Sequence, residues 1–137
     1  MTKDAPDCED VMAWLTKKMP KDTDHPTIVH NDYKFDNVVL DPIHPEKIIG
    51  VLDWEMATYG DPLMDLGNSL AYWVEENDPD DMQLIRTMPT NIPGAMTRKQ
   101  MLDLYEKRTG RPTHPFDFYY CFGLFRLAAI AQQIYYR

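Results

Sequence analysis

Hydrophobic and polar residues change their period several times along the chain, and each change marks an element. Val11, Met12, Trp14, Leu15 and Met19 recur at helical spacing ahead of Pro20, which predicts a helix from about Glu9 to Lys18. After the polar loop Lys21–Pro26, the β-branched run Thr27-Ile28-Val29 predicts a strand that delivers His30. Residues 30–37, His-Asn-Asp-Tyr-Lys-Phe-Asp-Asn, fit neither period and are too polar for a core, so they form a loop. Val38–Leu40 and Ile48–Leu52 are short apolar runs whose connection holds Pro42 and Pro45, a pattern that predicts a β-hairpin. Asp53 ends its second strand and opens a further polar loop through Gly60.

Asp61-Pro62 is a helix start, since Asp caps free N–H groups and Pro is tolerated at the first helical position. That helix carries Leu63, Leu66, Leu70, Trp73 and Val74 on one side, and the acidic stretch 75–81 beyond it reads as a solvated connection. Residues 82–96 are irregular. Thr97 and Gln100 form a capping box for a helix that ends at Gly110. A long apolar helix follows over about Phe116–Tyr136, and its aromatic run reads as core. Residues 1–10 are expected to be disordered. The fold class is α+β, mainly helical with one small hairpin, in a single domain over 1–137. Both polar loops sit at strand ends, where a rigid hairpin can make side chains converge.

Charge and composition narrow the classes. With 14 Lys+Arg against 22 Asp+Glu, the 137 residues carry a net charge of −8, which argues against nucleic acid or an anionic membrane surface as main partner. No apolar run approaches the ~18–20 residues of a membrane span, and the acidic N-terminus lacks the pattern of a secretory signal. Cys8 and Cys121 lie far apart with no metal-type spacing, so a reduced, cytoplasmic protein is expected.

The candidate chemistry lies in His30-x-Asp32-x-x-x-x-Asn37 and in Asp53 at the end of the hairpin. An Asp can orient an attacking hydroxyl and accept its proton. An Asn oxygen and a second carboxylate can hold Mg²⁺, a hard cation that prefers oxygen. Each residue also has a plainer reading. Asp32 and Asn37 can be turn residues, and Asp53 can be a strand-ending carboxylate that needs a partner beside a buried apolar run. Asp61 reads as an N-cap, and Asp65 gains from the helix dipole in the first turn. His30 reads as support beneath the loop. Lys34 either touches a transferred phosphate or is solvated, and the residues alone do not choose.

The pattern has the layout of a protein-kinase catalytic loop followed by its metal-binding Asp. Together, His30-Asn31-Asp32, Leu52-Asp53-Trp54 and Gly60-Asp61-Pro62-Leu63-Met64-Asp65-Leu66 resemble the aminoglycoside/choline phosphotransferase family, in the same order. The resemblance implies the large, mainly helical lobe of a protein-kinase-like fold, and an ATP/Mg²⁺-dependent phosphotransferase acting on a small-molecule hydroxyl. It makes Asp32 the catalytic base and Asn37 and Asp53 the Mg²⁺ ligands. Lys34, Asn37 and Asp53 then face the nucleotide, while His30, Asp61 and Asp65 support the site. Asn31 stands where many members have Gly, which alone enters positive φ freely, although Asn tolerates it better than most.

No phosphate-cradling glycine loop and no strand-borne lysine precede His30. The small nucleotide-binding lobe is therefore expected to be absent, the uncovered apolar surface to promote a homo-oligomer, and turnover by this chain alone to be weak. A non-catalytic kinase-like binding module is the competing function, and a metal-dependent hydrolase using His30, Asp32, Asp53 and Asp61 is a third. The branch most resembled is that joined to acyl-CoA dehydrogenases, which implies hydroxylated acyl or other metabolic substrates rather than antibiotics.

Overall fold

The computed structural model describes residues 6–135 of the chain. Helix α1 spans Glu9–Lys18 and is followed by strands β1 (Thr27–Val29), β2 (Val38–Leu40), β3 (Ile48–Val51) and β4 (Thr58–Gly60). Helices α2 (Pro62–Ala71), α3 (Asp80–Leu84), α4 (Arg98–Thr109) and α5 (Asp117–Tyr135) complete the order. Of the ten N-terminal residues expected to be disordered, 1–5 lie outside the described residues, and Glu9 and Asp10 already belong to α1. The acidic residues are at home there, because the Asp10 carboxylate accepts the Val11 N–H and the helix dipole favours negative charge.

The strands form two antiparallel pairs. One is the expected hairpin, β2 with β3, irregular between Val39 and Leu40. The other joins β1 to β4, with Thr27 opposite Gly60 and Val29 opposite Thr58. β4 lies in the stretch read as loop. Three residues held by backbone pairing leave no apolar period to detect.

The hairpin is more exposed than its composition suggests. Ile49 is 60% exposed and Leu52 52%, and Asp53 itself is exposed. Asp53 therefore does not sit beside a buried apolar run, and its need for a partner cannot be argued from burial.

The packed centre lies where α2 crosses α5. Leu70, Ala71, Val74 and Tyr119 are buried there, and Gly67 and Gly123 let the two backbones touch. A Cβ on Gly67 would collide with the Tyr119 carbonyl, and one on Gly123 with the Gly67 carbonyl. Of the aromatic run on α5, Tyr119 is core, while Phe118, Phe122 and Phe125 line an open groove of about 750 Å³ against α1. No helix among the described residues is long and apolar enough to cross a membrane.

Thr97, Gln100 and Gly110 bound α4 as the sequence predicts, with both hydrogen bonds of the capping box formed and Gly110 at φ 70°. The acidic stretch before it is mostly exposed, as expected for a solvated connection, but two of its carboxylates, Glu75 and Asp78, are taken up by one cation. Arg98, at the start of α4, gives two hydrogen bonds of 2.6 Å to the Asp78 carboxylate and one of 2.8 Å to the Trp73 carbonyl. Its Nε lies 3.4 Å from Glu75, and the guanidinium stacks over Tyr120 at 5.3 Å. Desolvation makes such a pair useful only when geometry is this complete, and here the fork is bidentate.

The Arg98 hydrogen bonds hold the Asp78 carboxyl below the usual aspartate value of 3.8, against an opposing effect of burial. A depressed folded pKa contributes stability that is present above the unfolded value and is lost as pH falls through the folded one. Urea unfolding across the acid range should therefore show wild-type stability falling below about pH 4, with that component missing from Asp78→Asn. At neutral pH, Asp78→Asn should be less stable by about 2 kcal/mol. Equal slopes in the two proteins would rule out the ion pair as the source.

Candidate active site

The loop after β1 is held from below by one carboxylate. Asp65, in the first turn of α2, accepts the His30 N–H through Oδ2 at 2.7 Å and the Asn31 N–H through Oδ1 at 2.8 Å. Two consecutive amides reach one carboxylate only because the chain turns at Asn31, whose φ is 65°. That is the left-handed region where Asn is better tolerated than most residues. The Asn31 side chain adds what Gly could not. Its Nδ2 donates to the Met56 carbonyl at 3.0 Å, and its Oδ1 accepts from Asn68 at 3.4 Å.

His30 is 3% exposed, and both ring nitrogens face backbone. Nδ1 accepts the Asp32 N–H at 3.2 Å, which leaves the proton on Nε2 to donate to the Leu52 carbonyl at 2.7 Å. The ring lies 4.7 Å from that of Trp54. His30 thus ties the loop to the end of β3, and neither nitrogen is free to hold a metal.

Above this base stands the Asp32 carboxylate. Asn37, buried at 7% exposure, donates from Nδ2 to the Asp32 carbonyl at 2.8 Å and to Oδ2 at 3.0 Å. The Tyr72 hydroxyl donates to Oδ1 at 3.4 Å, and Lys34 Nζ lies 2.9 Å from Oδ2. Lys34 also sits over the Tyr72 ring at 5.1 Å. Burial works against the Lys34 ammonium, but the Asp32 hydrogen bond and the surrounding negative charge more than offset it, so its pKa is raised. Burial also raises the Tyr72 pKa, with the Asp32 charge acting in the same direction. Lys34 is therefore a paired cation rather than a solvated one.

Asn37 and Asp53 come together through the backbone. The Leu52 N–H donates to the Asn37 carbonyl at 2.8 Å, and Asp53 is the next residue, itself left-handed at φ 63°. With the Asn37 amide hydrogens directed at Asp32, its Oδ1 faces elsewhere. The Asn37 amide oxygen and the exposed Asp53 carboxylate are hard oxygen donors, the chemical type Mg²⁺ takes. Among the described residues no three His, Cys, Asp or Glu side chains gather into a metal cluster. Asp61 is the N-cap of α2, with Oδ1 on the Leu63 N–H and Oδ2 accepting the Tyr119 hydroxyl at 2.9 Å. Burial, then this hydrogen bond, pushes the Tyr119 phenol up to about 12.

Besides Asp65, three contributors escape a reading of the apolar face of α2 alone. Asp65, Asn68, Ser69 and Tyr72 recur at i, i+3, i+4 and i+7, and each touches the loop 31–33. This polar stripe is visible in the sequence as the complement of the leucine face. Asp36 and Glu55 are exposed and bond to none of these groups.

Residues 2–96 match the profile of the phosphotransferase enzyme family. The chain is 34% identical to mouse (Mus musculus) acyl-CoA dehydrogenase family member 10, covering 99% of this chain and 13% of that protein. It is likewise 34% identical to mouse family member 11, covering 96% of this chain and 17% of the relative. The chain thus spans less than a fifth of the curated relatives it matches. A crystal structure of a Ralstonia eutropha protein provisionally named an aminoglycoside phosphotransferase superposes with a TM-score of 0.75 at 35% identity, over 96% of this chain and 40% of that one.

Asp65→Asn keeps the shape but turns one N–H acceptor into a donor. It should destabilise the fold by about 2–3 kcal/mol in urea unfolding, because an amide then faces an amide. A loss under about 0.5 kcal/mol would show that the loop stands without this anchor.

Proposed function

Because the chain belongs to the phosphotransferase enzyme family, we propose that it carries the acceptor-activating centre of an ATP- and Mg²⁺-dependent phosphotransferase acting on a small-molecule hydroxyl. The observation that carries this reading is the joint fixing of Asp32 and Asn37, with Asp53 one residue beyond their backbone link to β3. Asp32 orients the acceptor hydroxyl and takes its proton as the oxygen bonds to the γ-phosphorus of ATP, whose bond to the bridging oxygen breaks to release ADP. Asn37 and Tyr72 fix the carboxylate in one direction, so no reorganisation is needed when the hydroxyl arrives. Asn37 and Asp53 would hold Mg²⁺, which when bound supplies charge neutralisation for the β and γ phosphates. Lys34 keeps a positive charge on the same loop, within reach of both Asp32 and the side a phosphate would occupy.

The described residues would form the helical-lobe side of a kinase-like cleft. The 29 residues before His30 contain no glycine, so the clamp over the phosphates would come from elsewhere in the polypeptide or assembly. The competing reading is a kinase-like module that binds without turning over. Exposed Ile48, Ile49 and Leu52 on the hairpin support self-association through that face. Light scattering over a concentration series should show a homo-oligomer, and a monomer throughout would dispose of this part.

Phosphate transfer from ATP to a hydroxylated acceptor should require Mg²⁺ and fall by about 10²–10⁴-fold in Asp32→Asn. Transfer that survives in Asp32→Asn would remove Asp32 from its role. Mg²⁺-dependent nucleotide protection without transfer would select the binding module.

A further inference from the structure

Beside the catalytic loop, between the segment 54–60 and helices α2 and α5, lies a cavity of about 340 Å³, the size of a small-molecule site. Its walls include Asn31, Met56, Thr58, Asn68 and Phe122, and its two charged side chains are Asp61 and Arg126. Those two differ in what they have left to offer. Asp61 is committed on both oxygens, to the Leu63 N–H and the Tyr119 hydroxyl. Arg126 is not.

Arg126 stands one turn beyond Phe122 on α5, half-buried, and pairs with no carboxylate among the described residues. Its single hydrogen bond runs from Nη2 to the Met56 thioether at 3.3 Å, a weak acceptor for a group that carries five N–H donors. A guanidinium in that condition is a receptor for a carboxylate or phosphate, whose oxygens match its fork. Its place relative to Asp32 is also fixed. Met56 meets Arg126 through its sulfur and Asn31 through its carbonyl, and Asn31 is the residue before Asp32. Burial raises the Tyr72 pKa, with the Arg126 charge a smaller opposing influence, and the Tyr72 hydroxyl contacts Asp32. Asn68, at the floor and 3% exposed, leaves its Oδ1 without a partner.

We propose that Arg126 selects the acceptor: it binds the carboxylate or phosphate of a small molecule whose hydroxyl is thereby presented to Asp32. The identity of the acceptor as a phosphorylated substrate rests on the phosphotransfer reading of Asp32, whereas the anion subsite stands on Arg126 alone. The negative charge of Asp32 does not repel such a molecule outright, because Lys34 neutralises it at 2.9 Å. An amino sugar brings its ammonium to an unpaired like charge and is disfavoured, which is selection by repulsion as well as by attraction.

Calorimetric binding of four six-carbon probes tests this: gluconate, sorbitol 6-phosphate, neutral sorbitol and cationic glucosamine. At least one anion should bind roughly tenfold or more tightly than sorbitol, with glucosamine weakest. Which anion wins separates carboxylate from phosphate recognition. Arg126→Gln should erase the preference, and Arg126→Lys should keep part of it. Should Arg126→Gln fail to fold, the wild-type preference and its decline from low to high KCl decide the matter. Equal binding of gluconate, sorbitol 6-phosphate and sorbitol, or a preference untouched in Arg126→Gln, overturns the proposal. Phosphate transfer that uses sorbitol as well as the anions would sink the subsite and leave the phosphotransferase reading intact. Arg126-dependent anion binding without transfer to any probe would do the reverse.

Discussion

The site depends on one carboxylate accepting two neighbouring amides. Asp65 does not touch a substrate, yet it fixes the plane of the His30–Asn31 backbone and so the direction in which Asp32 leaves it. Everything above follows. His30 can face both Asp32 and Leu52 only with its backbone so oriented, and the Leu52 link brings β3 and Asp53 alongside Asn37. The half-buried charge of Asp65 is tolerable because each oxygen receives an N–H and because it sits in the first turn of a helix. A neutral residue of the same shape would supply only one of those acceptors.

Around that anchor the molecule divides its labour. Helices α2 and α5 supply rigidity through a contact of backbones at Gly67 and Gly123, and α2 spends its opposite face on the loop. The hairpin and the segment 54–60 are thin, exposed and held by few side chains. The Arg98 fork performs a similar fixing task at the far end of α2, where it gathers Trp73, Glu75 and Asp78 into one corner. Two charged networks thus brace the two ends of one ten-residue helix.

What the sequence made legible was whatever a local rule enforces. Thr97, Gln100 and Gly110 bound α4 because capping is a short-range matter, and Asp61-Pro62 opens α2 for the same reason. The motif blocks made the loop 30–37 legible because its residues keep a fixed spacing along one short segment. Long-range partners were not legible. β4 exists only as the mate of β1, and Arg98 lies 20 residues from Asp78. The stretch 75–81 is mostly solvated as its charge suggests, but a cation brought from another element takes up Glu75 and Asp78. The burial expected around Asp53 failed for a related reason, since apolar composition in a two-stranded hairpin does not say what covers it. Tyr72 and Asn68 were hidden for want of looking at the polar side of an amphipathic helix.

The Gly67–Gly123 contact has a mechanical consequence. Packed side chains between helices already have little give, and where carbonyl meets Cα there is no side chain to rotate aside. Any molecule entering the cavity next to Arg126 cannot make room by parting α2 from α5 without breaking that contact. Compliance must come from the other wall, the 54–60 segment that follows Asp53. Filling that cavity would therefore strain the stretch of chain that follows the Asp53 carboxylate, which couples occupancy of the cavity to the geometry at the end of β3.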